Sequence, residues 1–152
     1  MSDSSHQGRN EKIMDIRTFR ENDRESVIEL WKACDLTRPW NNPRKDIERK
    51  VQFQPNLFFV GTVNSKIIAS AMAGYDGHRG SVFYLAIDPN QQDLGYGQKL
   101  MAHIEVCLAE LGCPKLNIVV RSSNDHVLGF YNNLSYLKDD VVSLGKRLIP
   151  DE

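Results

Sequence analysis

Cysteine is scarce in this chain and poorly placed for bridging. The three residues, Cys34, Cys107 and Cys113, are odd in number, form no Cys-x-x-Cys pair and show no metal-ligand spacing, which excludes a disulfide framework and predicts no metal site. Also lacking is any run near the ~18 to 20 apolar residues that a membrane span requires, and the N-terminus carries no apolar leader core. Neither sign of charge dominates. Nineteen basic against twenty acidic residues leave a net charge of −1, and no basic run supplies the footprint of nucleic-acid binding. These absences predict a reduced cytoplasmic protein with no nucleic-acid or membrane partner. Cys34 and Cys107 fall on apolar helix faces and read as small core residues.

What is present fits one domain, since 152 residues with 41% hydrophobic side chains suffice for a single core. Residues 1–13 are polar and aperiodic and are expected to be a disordered extension, with Met14 a candidate start; residues 14–152 form the domain. Ile16 and Thr18 open a first strand. Asn22 is expected to cap a helix whose Val27, Ile28, Leu30 and Trp31 recur at helical spacing, and Asn42-Pro43 starts a second helix running to about Phe53. Leu57 to Val63, Ile67 to Tyr75 and Ser81 to Asp88 then read as an antiparallel meander, turning at Asn64-Ser65-Lys66 and at Asp76 to Gly80. A long helix follows Gly95, with Leu100, Ile104, Cys107, Leu108 and Leu111 on one stripe. Leu116 to Val120 is a fifth strand, parallel to the fourth because a helix connects them. A helix from Asp125 to Leu134 and a last strand from Asp140 to Leu148 complete a mixed α/β (α+β) sheet flanked by helices.

The most informative stretch is Ile87-Asp88-Pro89-Asn90-Gln91-Gln92-Asp93-Leu94-Gly95-Tyr96-Gly97, where an apolar strand turns into that long helix through two glycines. Helix-opening amides have no intrahelical partner and lie at the positive end of the helix dipole, so this junction suits a phosphate; a tight structural turn is the alternative. The segment lacks the third small residue of a dinucleotide fingerprint, which disfavours a nucleotide-dependent oxidoreductase. After the fifth strand the chain reads Asn124-Asp125-His126-Val127-Leu128-Gly129-Phe130-Tyr131, closing on Tyr136.

A strand, Gln-x-x-Gly-x-Gly opening a helix, a second strand and Asn followed seven residues on by Tyr together resemble the GNAT N-acetyltransferases, over about Met14 to Ile149. The segments Cys34 to Asn41, Gly74 to Gly80 and Ser143 to Ile149 resemble the bacterial YpeA-type subgroup of that family. The resemblance implies an acyl-CoA N-acyltransferase fold, mostly antiparallel, whose fourth and fifth strands splay apart around acetyl-CoA as co-substrate. It implies that the backbone of Gln92, Leu94, Gly95, Tyr96, Gly97 and Gln98 holds the diphosphate, that the backbone of Leu85 to Ile87 holds the pantetheine and thioester, and that Asn124 bonds the pantetheine arm. Asn124 equally suits a helix N-cap. By the same resemblance Tyr131 is the catalytic residue facing the departing sulfur; its alternative is a core aromatic.

Departures from the family pattern shape the rest. Asp93 stands where glycine is usual and Gln92 where arginine is common, so the loop carries less positive charge, and Ser135 replaces the glycine expected before Tyr136. In relatives resembling the ribosomal-protein alanine acetyltransferases a glutamate precedes the arginine matched by Arg121 by two residues, and here that position is Val119. Asp35, Asp76, His78 and Tyr84 are the remaining candidate bases, each also readable as a turn, cap or packing residue. Acceptor recognition is expected around the first two helices, from Arg38, Trp40 and Asn41. The expected acceptor is a primary amine of a small molecule or peptide, with an α-amine favoured over lysine, and the protein is expected to be a monomer or homodimer. The rival reading is a catalytically weak CoA-binding sensor or docking module.

Overall fold

The computed structural model describes residues 13–151, so the expectation for residues 1–13 lies, Ile13 apart, outside the described residues. Strands β1 (Asp15–Thr18), β2 (Phe58–Val63), β3 (Lys66–Tyr75), β4 (Gly80–Ile87) and β5 (Leu116–Ile118) form one sheet in that order. The first four pair antiparallel and β5 joins β4 in parallel. Between β2 and β3, Asn64 and Ser65 both take positive φ, 52° and 67°, the geometry that lets a two-residue turn follow the twist of the strands it joins.

Both faces of the sheet are covered, which is why β3 is buried at every position from Ile68 to Ala73 and shows no polar alternation. On one face, α1 (Arg24–Ala33) and α2 (Pro43–Lys50) set Val27, Trp31 and Ile47 against Phe58, Val60 and Met72. On the other, α3 (Tyr96–Glu110) and α4 (Asp125–Asn133) set Leu100, Ile104 and Tyr131 against Phe59, Ala69 and Val82. No helix among the described residues is long and apolar enough to cross a membrane.

Several expected boundaries move. Asn22 does not cap α1. It lies inside a 3-10 turn, Glu21–Asp23, and Asp23 takes the N-cap position of α1 without a side-chain bond to that helix, its carboxylate instead accepting from the Arg20 amide at 2.8 Å and from both ends of the Arg17 guanidinium. The second helix ends at Lys50, and Leu111 is half exposed because the stripe rotates out of the core at the helix end, where Gly112 takes φ +88°. β5 stops at Ile118. The largest correction is at the C-terminus: residues 140–148 form no strand and pair with none of the five strands of the sheet. Their apolar side chains stand in solvent.

Candidate active site

Two irregularities in β4 create the site. Its pairing with β5 ends at Val82↔Ile118, so residues 83–87 run on with one edge open while β3 still pairs with the other. On that paired side Met72 faces Phe83 and Ser70 faces Ala86, leaving Tyr84 and Leu85 opposite Ala71 alone. This is a β-bulge, and Tyr84 adopts a left-handed φ of 55° within it. An aromatic residue in that region is strained by roughly 1–3 kcal/mol and persists only when its surroundings fix it. They do so here. The Tyr84 ring stacks on Trp31 at 3.8 Å between centroids, the Ser70 hydroxyl donates to the Tyr84 carbonyl at 3.0 Å, and the Trp31 indole N–H donates to Ser70 Oγ at 2.8 Å. The Tyr84 hydroxyl donates to Asp46 at 2.6 Å.

From Ile87 the chain enters a 3-10 turn, Pro89–Gln91, capped by Asp88, whose carboxylate accepts from the Asn90 amide at 2.9 Å. Gln92 Nε2 donates to the Ile87 carbonyl at 3.0 Å and ties the loop to the end of β4. Asp93, Leu94 and Gly95 are exposed, with Asp93 at φ 64° and Gly95 at φ 84°. Gly95 is the N-cap of α3 and no side chain caps that end, while Gln98 is exposed in the first turn. The geometry suits an anion on the outer amides of α3. Gly97 has a different task. A Cβ there would lie 3.0 Å from the Phe130 ring and 3.7 Å from Ile87, so its absence lets α3 close on α4 and β4.

Asn124 caps α4, its Oδ1 accepting from the Val127 amide at 3.2 Å. One turn from the helix end, Tyr131 packs its ring edge-on against Phe130 and Tyr136 in the same cluster as Leu85 and Ile87. Its side chain is 7% exposed, and burial pushes its pKa up to about 12. Among the described residues no sealed side-chain polar atom lacks a partner, and the Tyr131 hydroxyl makes no hydrogen bond. The hydroxyl therefore has access to solvent.

The other candidates lie elsewhere. Asp76 accepts from the His78 and Arg79 amides at 2.8 Å each, in the turn that starts β4, at the opposite end of the strand from Leu85–Ile87. Those bonds hold its carboxyl below the usual range, and His78 is exposed beside it. Asp35 is exposed at the end of α1, where the Arg38 guanidinium donates to its backbone carbonyl at 2.8 Å and to that of Thr37 at 2.9 Å. Trp40 is half exposed, lies 5.9 Å beneath the Arg121 guanidinium, and lines a cavity of about 250 Å³ with Pro39, Arg147, Pro150 and Asp151. Asn41 Oδ1 accepts from Arg147 at 2.8 Å.

Comparison with known proteins agrees with this geometry. Residues 24–136 match the family described as the acetyltransferase (GNAT) family. The chain belongs to that family. An acetyltransferase from Yersinia pestis (strain Pestoides F) is 51% identical over 139 residues, covering 91% of this chain and 99% of the relative. One from Pectobacterium atrosepticum is 50% identical over 138 residues, covering 91% and 98%. Among solved structures, Ard1 from Thermoplasma volcanium aligns with TM-score 0.74 at 23% identity over 82% of each chain. AAC(6')-Iy in complex with the bisubstrate analogue CoA-S-monomethyl-acetylneamine aligns with TM-score 0.72 at 18% identity, covering 89% of this chain and 99% of that one. These structures share the fold.

In this acetyltransferase the bulge and its lock were missed by sequence reasoning. No glycine marks Tyr84, and the bond from Ser70 to Tyr84 spans two strands, so nothing local signals it. Gly97 offers a check on the packing described above. Gly97→Ala is expected to destabilise the fold by about 1–3 kcal/mol, because the Phe130 ring must shift inside a packed cluster. A thermal midpoint unchanged from the parent chain would contradict this packing.

Proposed function

We propose that this acetyltransferase moves the acetyl group of acetyl-CoA directly onto an amine of low basicity, a peptide α-amine or a small primary amine. The observation that carries the reading is the open, bulged edge of β4 at residues 83–87 in one cluster with the buried Tyr131. An edge amide there donates to the thioester carbonyl and to the oxyanion formed on attack, a contribution of about 3 kcal/mol when preorganised. The amides of Gly95, Gly97 and Gln98 hold the diphosphate, and Asn124 reaches the pantetheine arm while capping α4 with its other bonding capacity. The neutral Tyr131 hydroxyl faces the departing sulfur. Trp40, Arg38 and Arg121 border the acceptor approach.

Direct transfer is favoured over an acetyl-enzyme because the thiols are poor nucleophiles. Cys34 donates to the Ile87 carbonyl at 3.1 Å, and burial pushes its thiol pKa up; burial does the same to Cys107. The acceptor's basicity follows from the base candidates. Asp76 is held ionised and away from Leu85–Ile87, and Tyr84 is pushed up by burial and donates its proton to Asp46. With no strong base, an α-amine of pKa ~7.8 has an advantage of ~3.5 kcal/mol over a lysine of ~10.4, since far more of it is already neutral. The likeness of residues 34–41, 74–80 and 143–149 to the YpeA-type subgroup supports a bacterial enzyme of that kind.

The experiment is thermal unfolding with acetyl-CoA, CoA and NADH, followed by transfer assays on amine panels. Acetyl-CoA and CoA at a hundredfold excess over Kd are expected to raise stability by ~2.7 kcal/mol, and NADH to do nothing. Peptides with a free N-terminus should be acetylated and N-blocked lysine peptides should not. Transfer to lysine alone would overturn the acceptor reading, and CoA binding without any transfer would favour the sensor. Asp93→Gly is expected to tighten CoA binding about fivefold, because it removes an exposed negative charge and a left-handed non-glycine residue from the diphosphate loop. Weaker binding in a titration would reject that role for Asp93.

A further inference from the structure

One segment tied to the end of β4 and another that leaves the end of β5 meet at a single aromatic ring. Cys34 is bonded to the Ile87 carbonyl, and six residues on Trp40 stands in the turn that the Asn41 amide closes on the Arg38 carbonyl at 3.1 Å. Arg121 comes three residues after Ile118, the last residue of β5 to pair with β4, a reach of at most about 11 Å. Its guanidinium carbon lies 5.9 Å from the centroid of the Trp40 ring. The cavity of about 250 Å³ that Trp40 lines with Pro39, Arg147, Pro150 and Asp151 therefore belongs to the carboxyl ends of β4 and β5, the end of the sheet at which acetyl transfer is proposed.

The charges around this cavity do not balance. Asp151 is the one carboxylate lining it, and both its oxygens already accept from Arg49 at 2.8 Å. Arg147 stands 3.9 Å from that occupied carboxylate and donates to two neutral oxygens, Asn41 Oδ1 at 2.8 Å and the Ile149 carbonyl at 3.3 Å. Arg121 is exposed and, among the described residues, makes no hydrogen bond or ion pair beside its contact with Trp40. Two guanidinium groups thus flank a half-exposed indole with no carboxylate of their own. A guanidinium laid on an aromatic ring keeps its N–H donors free for a planar acceptor, and a carboxylate matches that fork. The ring and the two prolines offer apolar surface to the short stem that carries it.

We propose that the acceptor is a short amino-carboxylate: its carboxylate is held by Arg121 and Arg147, its stem lies on Trp40 and Pro39, and its amine is directed to the open edge of β4 at residues 83–87. This rests on the reading above, that the protein acetylates an amine of low basicity, and narrows the acceptor to one with a carboxylate about one residue from that amine. A dipeptide combines both features, because its α-amine is near ~7.8 and its carboxylate is one residue away. Arg121 and Arg147 then select the substrate by charge, and a cationic or blocked C-terminal group leaves both guanidinium groups unpaired.

The test compares alanyl-alanine with its carboxamide, which present the same α-amine and differ in the carboxylate. The acid is expected to have kcat/KM about tenfold or more above the amide, with the difference in KM, and Arg121→Gln should bring that ratio close to one. Binding is read separately, without acetyl-CoA, from Trp40 fluorescence during titration with N-acetyl-alanyl-alanine, and Trp40→Phe identifies the signal against that of Trp31. Saturable binding that the corresponding carboxamide does not match is the expected result. Such binding without transfer to any amine would support the carboxylate site and remove the acetylation reading. Transfer with no preference between acid and amide would keep that reading and overturn the site. The proposal also falls if Arg121→Gln stays as selective as the parent, or if the acetylated dipeptide and its amide bind equally or not at all.

Discussion

Replacing Tyr131 with phenylalanine is expected to lower kcat by about a hundredfold while acetyl-CoA binding and thermal stability stay close to those of the parent chain. The hydroxyl bonds to nothing among the described residues and reaches solvent, so its removal leaves no orphaned partner in the core. Its pKa of about 12 defines what it does. Full proton transfer from such a group to a thiolate whose conjugate acid is near ~8.5 is uphill by about 5 kcal/mol, so in the proposed reaction the hydroxyl would stabilise the leaving sulfur as a hydrogen-bond donor while solvent supplies the proton. The pH dependence follows. Because burial holds Tyr131 neutral, kcat should show no alkaline fall from its ionisation below about pH 11. By linkage, burial of the neutral form favours folding fully below the ordinary tyrosine value of ~10, and that advantage is lost as pH rises from there towards about 12. Turnover within twofold of the parent, or an alkaline limb near pH 9 that disappears in Tyr131→Phe, would remove this residue from the reaction.

Ser70→Ala is the second large effect, and it tests the bulge. Ser70 is fully buried, receives the Trp31 indole N–H and donates to the Tyr84 carbonyl, so the substitution strands one donor and one acceptor in the core. Each stranded group costs about 1–3 kcal/mol, giving a fall in the thermal midpoint of roughly 5–15 °C for a domain of this size. Release of the Tyr84 carbonyl also lets the left-handed residue relax, which would move the Leu85 backbone from the position proposed for it against the thioester. Turnover should therefore fall beyond what instability explains, measured well below the new midpoint. Tyr84→Phe is the contrasting variant: it removes only the bond to Asp46 and keeps the ring on Trp31, so its activity should remain near that of the parent. Equal activity of Ser70→Ala and the parent would show that the bulge does not depend on this lock.

Much of the framework of the candidate site was legible in the sequence because its parts are local. The Asn42 cap, the left-handed Asn64-Ser65 turn, the Gly95 entry to α3 and the Asn124 cap of α4 each depend on residues a few positions apart, where turn and cap chemistry speaks directly. Asn22 failed as a cap because Asp23, one residue on, is held by Arg17 from β1 as well as by the Arg20 amide. Asp76 read as a possible base until its carboxylate proved to be closing its own turn. Tyr84 drew notice as a titratable group, yet its backbone conformation matters more than its hydroxyl.

The alternation and punctuation of the sequence determined the order of strands and helices as far as α4, the antiparallel meander and the parallel return of β5, since each follows from side-chain period and turn residues along a short stretch, while the family rested on the resemblance of two motifs. Only the tertiary structure decided where β4 parts from β5, why Tyr84 is bent out of the ladder, and that residues 140–148 join none of the five strands. These depend on contacts between residues far apart in sequence, such as Ser70 with Tyr84 and Arg49 with Asp151, and a pairing edge is a property of the assembled sheet.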